Sequence, residues 1–130
     1  MIVDASIAVK WFLDEDRFVE ARSLLGSDSL NAPQLIRIEV THVLWRAVKR
    51  GRLESGAFSS AMQVMDKVFE GAASTDALIA RSIALTTHLN HPVYDCLYIA
   101  LAEREAAVLV TADERQFSAA RRAKVPARLL

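Results

Sequence analysis

Residues 93–102, VYDCLYIALA, carry apolar or aromatic side chains at every position but one, and the exception is Asp95. A helix of this kind has no polar face to turn to water, so it belongs inside the molecule with other layers packed around it. A carboxylate at its start then needs a partner, because an unpaired buried charge is costly.

The rest of the chain supplies the layers. Met1-Ile2-Val3 reads as a short buried strand ended by Asp4, followed by a helix over 5–13 and another over 17–25. Residues 29–33 read as a short strand stopped by proline. The clearest helix runs from Gln34 to Arg50, with an apolar stripe of Leu35, Ile36, Val40, Val43, Leu44, Ala47 and Val48, and Gly51 where a helix-ending glycine belongs. Helices are predicted over 55–68 and 75–89, with 71–74 a weak strand or a linker. The continuous apolar run AAVLVT at 106–111 suits a strand in a sheet covered on both faces. A helix over 115–122 and a last strand over 126–130 follow. Strands separated by helices predict an α/β fold with a mostly parallel sheet. A length of 130 residues predicts one domain, 1–130.

Composition narrows the classes of function. The single cysteine, Cys96, excludes an internal disulfide and fits a reducing cytoplasm. No basic, apolar leader opens the sequence and no apolar run approaches membrane-spanning length, so a cytoplasmic protein with no membrane partner is expected. Sixteen basic and sixteen acidic side chains balance, which argues against a simple polycation that grips nucleic acid anywhere. The basic residues nevertheless cluster at Arg46, Lys49, Arg50 and Arg52, and again at Arg121, Arg122, Lys124 and Arg128. Each cluster alone reads as a solvated face. Trp11 and Trp45 are expected to pack helices together rather than to serve as base-stacking platforms.

Four acids stand in telling places. In open parallel sheets, ligands bind outside the carboxyl ends of the strands. Asp4 ends the first strand and Asp113 lies two residues past the strongest one. Each also reads as a helix N-cap, where aspartate is favoured. Glu39 falls on the shoulder of an apolar stripe, where it either joins a site or pairs with His42 or Arg46. Asp95 shares its helix face with Tyr98, Ile99 and Ala102. Two carboxylates about 5 Å apart repel by roughly 3 kcal/mol at an effective dielectric of about 20. A cluster of four must therefore take up protons or hold a cation, and an all-oxygen ligand set suits Mg²⁺ or Mn²⁺ rather than zinc.

The stretches IVDASIAVKWFL (2–13), APQLIRIEVTHVLWRAVKRG (32–51), HPVYDCLYIALAE (91–103) and LVTADERQF (109–117) together resemble the PIN-domain family, and within it the VapC-type toxins of bacterial toxin–antitoxin modules. The resemblance implies an α/β/α sandwich and a Mg²⁺- or Mn²⁺-dependent endoribonuclease. It makes Asp4, Glu39, Asp95 and Asp113 the catalytic and metal-binding acids. It gives Ser6 and Thr111 supporting roles, Ser6 as a hydrogen-bond donor to a carboxylate or to a water held by the metal. It implies structured RNA as substrate, such as transfer or ribosomal RNA, a cognate antitoxin as partner, and a homodimer, for which the helices at 17–25 and 34–50 offer apolar surface. Gln116 occupies a position where some relatives carry a further acid, and Cys96 one where they often have alanine. Arg46, Lys49, Arg50 and Arg115 are the candidate RNA contacts.

In the implied chemistry, metal ions polarise the phosphate and activate water, in-line attack expels the 3′-oxygen, and the products end in 5′-phosphate and 3′-hydroxyl. No side-chain nucleophile is needed. Three other readings compete. A haloacid-dehalogenase-like phosphatase would want a second aspartate where Ser6 stands. A cysteine hydrolase would need an exposed, activated Cys96 beside His42, His88 or His91. A PIN-fold module that binds RNA or protein without cleaving would be expected to have lost its acids, and all four are present.

Overall fold

The structure, a computed structural model, describes residues 1–27 and 29–130. Its frame is a parallel sheet of β1 (Ile2–Val3), β2 (Leu109–Thr111) and β3 (Ala127–Leu129), side by side in that order. Every residue of β1 and β2 is buried, as a sheet covered on both faces requires. Two isolated parallel bridges, Ile2 with Asn31 and Pro33 with Ala73, continue the sheet beyond β1. The strand expected at 29–33 is thus reduced to two isolated bridges, and the weak strand or linker expected at 71–74 to one.

Seven helices flank the sheet among the described residues: α1 (Ala5–Ala8), α2 (Phe18–Ser23), α3 (Leu35–Lys49), α4 (Ser55–Val68), α5 (Asp76–Leu89), α6 (Val93–Arg104) and α7 (Glu114–Arg122). The helix expected over 5–13 tightens after α1 into a 3₁₀ turn at Val9–Trp11, and the one over 17–25 does the same at Leu24–Gly26. No described helix is long and apolar enough to cross a membrane.

The seven residues from Cys96 to Ala102 are buried, so α6 is the interior helix that its sequence demands. Its first turn differs: Val93 and Tyr94 are exposed, and Asp95 sits half-buried at the boundary. The strand expected at 106–111 is shorter for a backbone reason. Ala106 takes a left-handed conformation (φ 48°) and Ala107 N–H bonds to the Ala102 carbonyl, so the first two residues close α6 and only the end of the run pairs as β2.

The two tryptophans part company. Trp11 is buried, stacked on Phe69 with centroids 5.9 Å apart, and its indole N–H donates to the Ala21 carbonyl. Trp45 does not pack helices as expected: it is 45% exposed. The buried stripe of α3 runs through Ile36, Val40, Leu44 and Ala47, and Trp45, next to Leu44, points off its edge.

Candidate functional site: an acidic centre at the carboxyl edge of the sheet

Asp4 follows β1 directly and caps α1, and both of its carboxylate oxygens are occupied. Oδ1 accepts from the Ser6 hydroxyl at 2.6 Å and the Ile7 N–H at 3.2 Å, while Oδ2 accepts from the Thr111 hydroxyl at 2.6 Å. The two hydroxyls face the other way as acceptors. Ser6 Oγ takes the Ala112 N–H at 2.8 Å and Thr111 Oγ1 takes the Asp113 N–H at 2.9 Å. One buried carboxylate therefore ties the end of β1, the start of α1 and the loop after β2 into a single unit.

Asp113, exposed at the rim, caps α7 with Oδ1, which accepts from the N–H groups of Arg115 and Gln116. The capping alternative thus holds for both Asp4 and Asp113, and it leaves Asp113 Oδ2 uncommitted. Gln116 is buried and its amide reaches the Asp95 carbonyl at 3.5 Å.

Glu39 projects from α3 and is half-buried. The partner expected within its own helix, His42 or Arg46, is not the one it takes. The Tyr98 hydroxyl of α6 donates to Glu39 Oε2. Asp95 pairs with His91 Nε2 at 2.7 Å through Oδ2. Sequence reasoning treated Tyr98 as apolar packing and missed His91 as a partner. The signals were Tyr98 at i+3 from Asp95 on the same helical face, and His91 at i−4, just before the helix begins.

The electrostatics show how the four acids relate. Burial pushes Asp4 up from 3.8 to about 6, its three hydrogen bonds pull it down, and the charge of Asp95 pushes it up again. Glu39 is raised by burial, against the Tyr98 hydrogen bond and with further repulsion from Asp95. Asp95 is itself raised by burial and by Asp113, while His91 and Arg115 oppose the shift. Tyr98 lies well above its ordinary value because it is buried against Glu39, Asp4 and Asp95. Asp95 is thus the link between the acids: its charge raises Asp4 and Glu39, and the charge of Asp113 raises Asp95 in turn. Among the described residues, Asp4, Glu39 and Asp113 have no ion-pair partner. No three histidine, cysteine, aspartate or glutamate side chains there stand close enough to form a finished cation cage.

Cys96 is fully buried and burial raises its thiol, which donates weakly to the His91 carbonyl, so an activated cysteine nucleophile does not exist here. A surface concavity of about 620 Å³ between α3 and α4 lies away from the chemistry. None of the four acids lines it, and its only carboxylate, Asp66, is paired with Arg37.

A parallel sheet with acids gathered at its carboxyl edge defines an α/β domain built around an acidic centre. The chain belongs to the PIN-domain family, whose profile matches residues 1–123. It is 31% identical over 115 residues to Ribonuclease VapC9 of Mycobacterium tuberculosis, spanning 88% of this chain and 87% of that protein. It is 28% identical over 118 residues to Ribonuclease VapC3 of Pyrobaculum aerophilum, spanning 88% and 90%. The fold matches VapBC2 from Rickettsia felis, solved bound to a DNA fragment from its promoter, with a TM-score of 0.72 at 15% identity over 99% of this chain and 97% of that one. A toxin–antitoxin complex from Klebsiella pneumoniae matches with a TM-score of 0.63 at 21% identity, over 90% and 89%. At these identities the two structures establish the fold alone.

Proposed function

We propose that this chain is an endoribonuclease dependent on Mg²⁺ or Mn²⁺, the toxin of a toxin–antitoxin pair, acting on structured RNA such as transfer or ribosomal RNA. The observation that carries the reading is the acidic centre. Four carboxylates reach one edge of the sheet, and the charge of Asp95 raises Asp4 and Glu39 while that of Asp113 raises Asp95. Among the described residues no lysine or arginine ion-pairs with any of them. Such a centre is short of positive charge, and oxygen donors alone fit a hard divalent ion. The ribonuclease names of the sequence relatives support the same activity.

Asp4, Glu39, Asp95 and Asp113 would hold the ion. A bound divalent cation would polarise the scissile phosphate and lower the pKa of an attacking water. The chain's own part is positioning. Ser6 and Thr111 grip both oxygens of Asp4, Tyr98 holds one oxygen of Glu39, and His91 holds one oxygen of Asp95 and leaves the other open. Without the ion the acids repel phosphate, so the substrate is excluded until the charge is balanced. With the four site acids set aside, twelve acidic side chains of the sixteen face sixteen basic ones, and the remaining surface attracts RNA. A cognate antitoxin, a homodimer and a cytoplasmic setting complete the reading, the last consistent with one buried, unbridged cysteine.

The test uses purified protein on total RNA with Mn²⁺, with Mg²⁺, with chelator, and with Asp95→Asn in parallel. Cleavage that needs both the metal and Asp95 and leaves 5′-phosphate ends is the expected result. Intact RNA together with no Mn²⁺ binding in calorimetry would overturn the reading in favour of a non-catalytic binding module.

A further inference from the structure

Trp45 stands exposed on α3, with a neighbour on either side of its indole. The Lys49 ammonium lies 4.9 Å from the ring centroid and the His42 ring 5.6 Å away. With Arg46 and Arg50 these residues line an open depression of about 480 Å³ to which neither an acidic nor an aliphatic residue contributes. Nearby Arg37 and Arg52 are each committed to a carboxylate, Asp66 and Glu15. Among the described residues, Arg46, Lys49 and Arg50 pair with none.

The placement relates this surface to the acidic centre. Arg46 and Arg50 follow Glu39 at i+7 and i+11, on the same face of the helix line, about 10 and 16 Å further along its axis. A phosphate backbone leaving the acids along α3 meets them in turn. Cations in the last turn of a helix also balance its dipole. That accounts for the charges but not for an indole held open to solvent among them.

We propose that this depression binds an unpaired RNA nucleotide flanking the cleavage point, its base stacked on Trp45 and its phosphates against Arg46, Lys49 and Arg50. This rests on the ribonuclease reading above. An exposed indole among cations that pair with no carboxylate, one of them already against its ring, is complementary to a nucleotide, which offers a π-surface and a negative charge together. A protein contact would draw instead on the apolar groove between α3 and α4, which borders Trp45 on its other side through Ile38, Phe58 and Met62.

The experiment measures binding of a short labelled single-stranded oligoribonucleotide by fluorescence anisotropy, in chelator so that nothing is cut. Wild type is compared with Trp45→Leu, Trp45→Phe and Lys49→Gln, each checked for folding by circular dichroism. The expected result is at least about fivefold weaker binding for Trp45→Leu, retention of most binding by Trp45→Phe, and a salt slope reduced by about one in Lys49→Gln. Unchanged affinity in Trp45→Leu overturns the proposal, and so does a wild type that binds no RNA. Unchanged RNA affinity with an altered oligomeric state in light scattering overturns it in favour of a protein contact. Cleavage of total RNA with Mn²⁺ is scored separately. If wild type and Trp45→Leu both cut and bind alike, the nucleotide site falls and the ribonuclease reading stands. If wild type cuts nothing and binds no Mn²⁺, the ribonuclease reading falls on those two results, whatever the oligoribonucleotide binding shows.

Discussion

Asp4 shows how one residue serves the fold and opposes it. Its hydrogen bonds join β1, α1 and the loop after β2, yet its charge is buried and its carboxyl is pushed from 3.8 to about 6. The folded chain therefore keeps a proton that the unfolded chain releases. Stability of the metal-free protein is greatest below about pH 4 on this account and declines as pH rises towards about 6, by up to about 3 kcal/mol. Urea unfolding across that range, in chelator, checks the sign. Asp4→Asn keeps the size and one acceptor oxygen, removes the buried charge, and turns the other oxygen into an NH₂ donor facing a hydroxyl that can accept. It is expected to stabilise the metal-free protein at neutral pH by about 1–3 kcal/mol while abolishing RNA cleavage. Thr111→Val acts in the opposite sense. It strips a hydrogen bond from Asp4 and leaves the Asp113 N–H without its acceptor, at a cost of about 1–3 kcal/mol in the same assay. Tyr98→Phe keeps the buried ring and releases Glu39. Calorimetry is expected to show Mn²⁺ affinity lower by about tenfold or more, and an unchanged affinity would count against Tyr98 as a positioning residue.

At the scale of elements, helix ends decide where the strands can begin. α3 closes with Gly51 at φ 70°, its N–H on the Val48 carbonyl and the Arg52 N–H on Ala47. A Cβ there would touch nothing within 4 Å, so Gly51→Ala tests backbone conformation alone and is expected to cost about 1 kcal/mol in urea unfolding. α6 closes the same way but with Ala106 in the left-handed position. Ala106→Gly is expected to be neutral or to stabilise by up to about 1 kcal/mol, because the steric penalty it relieves offsets the added chain entropy. The glycine end of α3 was legible, since glycine is the usual residue there. The alanine end of α6 was not, and the apolar run after it accordingly read as a longer strand.

For the whole molecule, the proposed binding of a divalent ion by the acids at one edge of the sheet would make stability and cation binding one linked quantity. A divalent ion that binds only the folded state stabilises it by about 2.7 kcal/mol at a hundred times its dissociation constant. Mn²⁺ is therefore expected to raise the melting temperature of wild type and much less that of Asp95→Asn. Equal shifts for the two proteins in differential scanning fluorimetry would place the ion elsewhere.

The order of the main elements, an interior helix opening at residue 93, and the placing of Asp4 and Asp113 just past strand ends were legible from the sequence. Each depends on local patterning: apolar runs, helical spacing, and an acid set beyond a strand. The partners of the four acids depended on tertiary structure. Ser6 and Thr111 reach Asp4 from positions 105 residues apart, and Tyr98 reaches Glu39 across 59. Trp45 was misread for a related reason. Whether an aromatic on the margin of a helical stripe is buried depends on which neighbours pack there, and α4 leaves its side of α3 open as a groove. Periodicity along a chain specifies which face of an element is apolar, whereas distances between elements, and so hydrogen bonds and charge couplings across them, arise only when the layers close.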